Sequence, residues 1–438
     1  MNICLLNDSF PPVIDGVANA VMNYAQDLTA MGNTAMVVTP AYPDVTDDYP
    51  YEVVRYHSLD TTKLVGYRTG MPFDSDATKR MYDFKPDIYH SHCPMVSTVM
   101  ARGIREIAPA PLVFTYHTKF DIDIENAIRG KLLQEAAILA LVRNIETCDE
   151  VWTVSEGAGQ NLKSLGYQGD YRVMRNGVDI PRKKPDPESV AKVKGRHDLP
   201  EDVPVYLFVG RMMWYKGLRT ILDALRGLSD AEIDYRMIFV GGGGDFEEVK
   251  AYADDLRLGD KVIFTGPIQD RQLLRGYFGA ADLFLFLSDF DTNGLVVREA
   301  AACGLGSLLL RGSAAAEDVE NKHNGFLTER SAASVAALLA RIGMDKAALR
   351  SVGENAMNEL YFSWEDSVKI AYERYEQIVD DYRSGKLTLK KTVSEPMTGW
   401  LRDAVAAMEE SRKLREKSVS GAKAFLSSVW EDLINHDI

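Results

Sequence analysis

The chain has 438 residues, 46% hydrophobic and 26% charged, an ordinary globular balance with room for two or three domains. Its net charge is −14, and an acidic surface repels polyphosphate, so nucleic acid is not expected as a partner. Four widely spaced cysteines (Cys4, Cys93, Cys148, Cys303) form neither a disulfide framework nor a CxxC metal site, and no apolar run suits a signal peptide or a membrane span, so a cytoplasmic setting is expected.

In chain order, NICLL (2–6) is a short apolar run, followed by a loop and a helix ending at Gly32. TAMVVT, YEVVRY, DIYH, LVFTY and EVWTVS are further strand candidates, separated by helical stretches near 75–84, 95–107, 125–146 and 157–165. Such alternation means βαβ units and a parallel sheet. Residues 182–204 are charged and proline-bearing and read as a linker with a short helix. Alternation then restarts with VYLFVG, RMIFVGGGG, KVIFTG, DLFLFLS and SLLLRG, each but the last followed by a helix. Residues 361–382 read as one amphipathic helix. The segment 383–438 carries net +2 against −16 for the rest, and runs into helical patterns after Pro396.

Two doubly wound domains bind ligands at the C-terminal ends of their strands. In VYLFVGRMMWYKGL (205–218), Arg211 and Lys216 follow a buried strand and lie beside a helix start. A planar fork and a point charge next to free helix N–H groups suit a diphosphate, although two solvated surface cations fit the same pattern. In SDFDTNGLVVREA, Asp291 and Glu299 are eight residues apart, with Asn293, Gly294 and Leu295 at a helix start between them. Carboxylates so placed suit sugar hydroxyls, and backbone N–H groups suit phosphate; a capping Asp and a solvated Glu fit equally well. The tetraglycine 241–244 permits close backbone approach but is no GxGxxG fingerprint. Earlier in the chain, PPVIDG sets Gly16 at a helix start, TYHT sets His117 after a strand, and DIYHSH sets His90 and His92 at another strand end. His-x-His also suits a metal, but no third ligand follows, so no metal is expected.

Together, PPVIDGV, DIYHSH, TYHT, RNGVD (175–179), FVGRMMWYKGL, ADLFLFLS with DTNGLVVREA, and NGFL (324–327) resemble the retaining glycosyltransferases of family four over residues 1–382. The resemblance implies the GT-B fold: two facing Rossmann-like doubly wound domains with a crossing helix and, here, a helical tail. The expected division is an acceptor domain over 1–182, a nucleotide-sugar domain over 183–363, a crossing helix over 364–382 with Trp364 near the crossing, and a tail over 383–438. It implies that Arg211 and Lys216 hold the donor diphosphate, Glu299 the ribose and Asp291 the donor sugar. Asn293, Gly294 and Leu295 would meet sugar or phosphate, His117 the reacting centre, and Gly16 the diphosphate and acceptor. No cofactor is implied beyond the nucleotide sugar as substrate, UDP-glucose being the expected donor, and no metal.

This sequence departs from the family pattern at Asp291 (usually Glu), Asn293 (often aromatic), Tyr215 (often Glu) and Asp15 (often Gly). FTYHTKFD followed by a long helix is similar to bacterial transferases that glycosylate diacylglycerol or phosphatidylinositol. That implies a lipid or small-molecule acceptor, glycolipid synthesis, and peripheral contact with an anionic membrane at the inner face of the cell membrane. The segment 125–146 reads as a core-packed amphipathic helix in preference to a membrane-surface one, and the tail as a membrane helix, a dimer contact or a cover for the N-terminal domain. Two other readings stay open: a GT-B nucleotide-sugar 2-epimerase, and a catalytically silent nucleotide-sugar-binding scaffold, which the shortened acid at Asp291 favours.

Overall fold

The computed structural model describes residues 1–390 apart from 14, 63–67, 73, 122–123 and 125–129. The expected helical tail therefore lies outside the described residues beyond Lys390, as does the start of the 125–146 helix. The chain separates into two compact units: Met1–Phe114 with Ala140–Glu150 and the chain from Tyr375 on, and Thr115–Leu139 with Val151–Arg374.

In the first part of the chain, β1 (Asn2–Leu6), α1 (Gly16–Ala30), β2 (Thr34–Pro40), β3 (Glu52–Tyr56), a small hairpin β4 (Ser58–Leu59) and β5 (Thr69–Gly70), α2 (Ser75–Phe84), β6 (Ile88–Ser91), α3 (Val96–Ile104) and β7 (Leu112–Tyr116) follow in order. Then come α4 (Lys131–Glu146), β8 (Glu150–Thr153), α5 (Glu156–Ser164) and β9 (Arg172–Val173). The seven-stranded sheet has the order β3-β2-β1-β6-β7-β8-β9. Strand β1 pairs in parallel with both β2 and β6, so the winding reverses between β1 and β6. Near-continuous apolar runs such as NICLL and LVFTY are buried throughout or nearly so, as a sheet covered on both faces requires. Local caps start the helices: Asp15 Oδ1 accepts from Val17 and Ala18 N–H at 2.8 and 2.7 Å, and Asp74 does the same for α2.

The rest of the chain forms α6 (Pro187–Arg196), β10 (Val205–Val209), α7 (Leu218–Asp230), β11 (Arg236–Val240), α8 (Phe246–Asp255), β12 (Val262–Gly266), α9 (Arg271–Ala280), β13 (Leu283–Phe286), α10 (Leu295–Ala302), β14 (Ser307–Leu310), β15 (Phe326–Thr328), α11 (Ala332–Ile342), α12 (Lys346–Glu359) and α13 (Trp364–Arg383). The six-stranded sheet runs β12-β11-β10-β13-β14-β15, all pairs parallel. Here the winding reverses between β10 and β13. A row of phenylalanines crosses the sheet, with Phe264–Phe239 centroids 5.0 Å apart, Phe239–Phe208 5.8 Å and Phe208–Phe286 6.3 Å. Phe208, Phe239 and Phe286 are fully buried and each contributes roughly 1.5–3 kcal/mol, which fixes the strand ends that carry the loops described next.

Three details differ from the sequence reading. The helix after Lys216 starts only at Leu218, because a 3₁₀ turn over Trp214–Lys216 and a left-handed Gly217 intervene. The His90 and His92 rings are at a strand end, as read, but buried against protein side chains: their centroids are 3.9 Å apart, Tyr24 packs on both, and His90 Nδ1 meets the Tyr375 hydroxyl. The core-packed reading of α4 holds only for its last turn and a half, where Leu141, Val142, Asn144 and Ile145 are buried; Leu132, Leu133 and Leu139 are exposed. Among the described residues no helix is long and apolar enough to cross a membrane.

Candidate functional site

Ligands of doubly wound sheets sit at the strand ends where the winding reverses. In the six-stranded sheet those ends are Val209 of β10 and Phe286 of β13, so the loops 210–217 and 287–294 flank the reversal. All predicted site residues except Gly16 belong to the second unit, and six of them are on or beside these two loops.

The first loop is shaped by glycines and backbone bonds. Gly210 and Gly241 both have positive φ, and a Cβ on Gly241 would strike the Gly210 carbonyl. The close approach allowed by the tetraglycine is therefore to the cation-bearing loop. Met212 N–H donates to the Gly242 carbonyl at 2.8 Å, Asp245 N–H to Met212 at 3.1 Å, and Trp214 N–H to the Asp245 carboxylate at 2.8 Å. Held this way, the loop presents Arg211 on the exposed side, donating to the Tyr215 hydroxyl at 3.0 Å. Lys216 is turned inward and is 9% exposed. A Cβ on Gly217 would collide with the Leu287 carbonyl, so only glycine lets this loop lie against the second one.

The second loop meets the first at Lys216, whose ammonium forms an ion pair with Asp291. The same ammonium lies 5.5 Å from the Tyr215 ring and 5.7 Å from the Phe286 ring, and the Tyr215 and Phe290 rings pack tilted by 35° with centroids 4.4 Å apart. The second carboxylate oxygen, Asp291 Oδ2, and the amide Asn293 Nδ2 are both buried with no hydrogen-bond partner among the described residues. Leaving buried polar atoms unmade costs roughly 1–3 kcal/mol each, so an acceptor and a donor two residues apart mark a place for a polar ligand. Gly294 follows with φ +58, where a Cβ would press within 2.6 Å of Ala315, and α10 starts at Leu295. No side chain caps that helix start.

Glu299 lies in the second turn of α10. Burial, with the negative charge of Asp179 added, raises its carboxyl to about 7, against the opposing charge of Arg271. His117 follows β7 and is buried; that burial holds its imidazole down to about 3, so it is neutral at physiological pH. Its carbonyl accepts a hydrogen bond from the Thr292 hydroxyl at 2.6 Å, and Ser155 Oγ donates to the Thr292 carbonyl. Thr292, between Asp291 and Asn293, thus ties the His117 segment to the acid loop; it has no local sequence signal, because its partners are distant in the chain.

Gly16, in the first unit, opens α1. A Cβ there would meet nothing within 4 Å and its φ is not positive, so protein packing does not demand the glycine. Two quoted motifs prove structural. In NGFL, Asn324 Nδ2 donates to Glu359 at 2.9 Å and its Oδ1 accepts from Glu320 N–H at 2.8 Å. In RNGVD, Gly177 packs against the backbone of Ser363 and Trp364, and Trp364 is buried at the start of α13. A surface cleft of about 560 Å³ near α6 and α9, lined by Lys192, Asp270 and Arg275 among others, contains none of the predicted residues.

Residues 14–182 match the Glycosyltransferase Family 4 model and residues 190–359 the Glycosyl transferases group 1 model. The chain is a glycosyltransferase of this family. It is 23% identical over 308 residues to the alpha-monoglucosyldiacylglycerol synthase of Streptococcus pneumoniae, covering 69% of this chain and 70% of that protein. It is 25% identical over 338 residues to a GDP-mannose-dependent alpha-mannosyltransferase of Corynebacterium glutamicum, covering 75% and 77%. The Anabaena protein HepE, solved in complex with UDP-glucose, matches with a TM-score of 0.67 at 19% identity, covering 86% of this glycosyltransferase and 100% of that chain. The fold is GT-B, with two Rossmann-like parallel-sheet domains.

Proposed function

We propose that this glycosyltransferase moves glucose from UDP-glucose, with retention of configuration and without a metal, to a hydroxyl of diacylglycerol or a small acceptor. The observation that carries the reading is the pairing of Lys216 with Asp291 beside two buried, unsatisfied polar atoms and an uncapped helix start. A donor sugar offers hydroxyls that can donate to Asp291 Oδ2 and accept from Asn293 Nδ2. Its diphosphate would lie against Arg211, Lys216 and the N–H groups at Gly294 and Leu295. Glu299 would accept both ribose hydroxyls. His117, being neutral, hydrogen-bonds the sugar or the reacting centre without adding charge. Gly16 would face a substrate, since a Cβ there meets nothing within 4 Å.

In the reaction the bond between the sugar's anomeric carbon and the diphosphate oxygen breaks, and the leaving diphosphate keeps the electron pair. Arg211, Lys216 and the helix start stabilise that charge, usually the largest catalytic contribution. The acceptor hydroxyl forms the new bond on the same face, and its proton passes to the leaving phosphate oxygen. No carboxylate nucleophile is required, so Asp291 positions the sugar hydroxyls. A lipid acceptor places the work at the inner face of the cytoplasmic membrane, with the enzyme in peripheral contact. The names of the pneumococcal relative and of the HepE complex support glucose, UDP and diacylglycerol; the mannosyltransferase relative keeps GDP-mannose in the test.

The test is nucleotide release from UDP-glucose and GDP-mannose, with and without diacylglycerol vesicles. The expected result is acceptor-stimulated UDP release. Release from GDP-mannose alone would move the donor assignment, isomerised free sugar would indicate an epimerase, and binding without turnover would indicate a scaffold.

A further inference from the structure

Tyr215 lies against both cations of the first loop. Its hydroxyl accepts from Arg211 Nη2 at 3.0 Å, and its ring centroid is 5.5 Å from the Lys216 ammonium. The backbone around it is held from both sides. Trp214 N–H donates to Asp245 Oδ2 at 2.8 Å, Lys216 N–H to the Met213 carbonyl at 2.9 Å, and Gly217 N–H to the Trp214 carbonyl at 3.2 Å. The ring is placed by Phe290, whose centroid is 4.4 Å away and which immediately precedes Asp291 on the second loop. Phe290 N–H in turn donates to Ser288 Oγ at 3.3 Å. The hydroxyl that meets Arg211 is therefore held relative to Lys216 and Asp291.

Arg211 itself is exposed. A long side chain in water loses rotamer entropy when a ligand immobilises it, and a partner already in place lowers that cost. The charge of the partner matters as well. A carboxylate at position 215 would neutralise the guanidinium and compete with a diphosphate for it. A phenol accepts the hydrogen bond and leaves the positive charge intact. The ring acts on Lys216 in the same way, since an aromatic face attracts an ammonium without cancelling its charge. Packing on Phe290 needs only the ring; the hydroxyl has its partner in Arg211.

We propose that Tyr215 is a positioning residue for the donor diphosphate: its hydroxyl holds Arg211 and its ring attracts Lys216, so both cations meet the diphosphate already oriented. This rests on the reading of Arg211 and Lys216 as the diphosphate ligands.

Y215F tests the role of the hydroxyl, because it keeps the ring on Phe290. The full chain is titrated calorimetrically with UDP and GDP, and the variants are compared on whichever the wild type binds more tightly. Y215F should weaken binding about three- to tenfold, the loss of one hydrogen bond, and R211A should weaken it at least as much. Adding Y215F to R211A should change the affinity by less than about twofold. The matching nucleoside, which has no phosphate, should bind Y215F and wild type alike by saturation-transfer NMR. In steady-state transfer, Y215F should raise KM for the donor by more than it lowers kcat. If R211A weakens binding and Y215F does not, if Y215F costs as much with Arg211 absent as present, or if nucleoside binding also falls, Tyr215 has no such role. Unchanged affinity in R211A would overturn the diphosphate reading itself, and this inference with it.

Discussion

At the scale of residues, the account rests on Lys216 serving two partners. In the unliganded protein its charge is neutralised by Asp291; in the donor complex a diphosphate would share it. Lys216→Ala and Arg211→Ala should each lower kcat by about 10²–10³. Because Lys216 and Asp291 touch, K216A and D291N should be non-additive in a double-mutant cycle on kcat/KM, whereas R211A and D291N should come closer to additivity. Glu299 gives a pH test. Its carboxyl titrates near 7, so its contribution to folding stability is present below the ordinary carboxylate range and is lost as pH rises through about 7. Ribose hydroxyls favour the ionised form, so binding has the opposite sign. UDP-glucose, which has no group titrating there, should bind about tenfold more weakly per pH unit below 7, and E299Q should flatten that slope in calorimetric titrations. His117 titrates too low to act in this range, so H117N should slow transfer while leaving the shape of the pH–rate profile unchanged between about pH 5 and 8.

At the scale of elements, glycines divide into those the fold requires and those it does not. Gly241 has φ +134 and lies against the Gly210 carbonyl. Gly241→Ala should cost about 1–3 kcal/mol in chemical denaturation and lower kcat as the Arg211 loop shifts. Gly16 has open space around it, so Gly16→Ala should change stability by less than about 0.5 kcal/mol yet reduce transfer. Equal loss of stability in both variants would remove Gly16 from the site. The strand–helix alternation was legible because each buried strand is a short apolar run bounded by glycine or charge. The cation loop was legible as a pair of residues, but its shape was not. The fold of 210–217 depends on Gly241 and Asp245, which come from the next strand–helix connection. The burial of His90 and His92 was not legible for a related reason: a strand end looks the same in sequence whether the next layer covers it or not, and Tyr24 and Tyr375, which cover it, are distant in the chain. The departures became intelligible in three dimensions. Tyr215 accepts a hydrogen bond from Arg211 and packs on Phe290, and Asp15 caps α1, occupying the N–H groups of Val17 and Ala18.

At the scale of the whole molecule, the acidic balance and the two-domain length pointed to a small-molecule enzyme, and the order of the motifs pointed to its family. In the proposed site the donor sugar would be held by one oxygen and one amide nitrogen, Asp291 Oδ2 and Asn293 Nδ2, whose burial no sequence pattern announced. The most direct test of retaining glucosyl transfer is the anomeric configuration of the product formed from UDP-glucose and diacylglycerol, read by proton NMR. The account predicts an α-glucoside formed in step with UDP release. A β-glucoside, or UDP release with no glycoside, would contradict it.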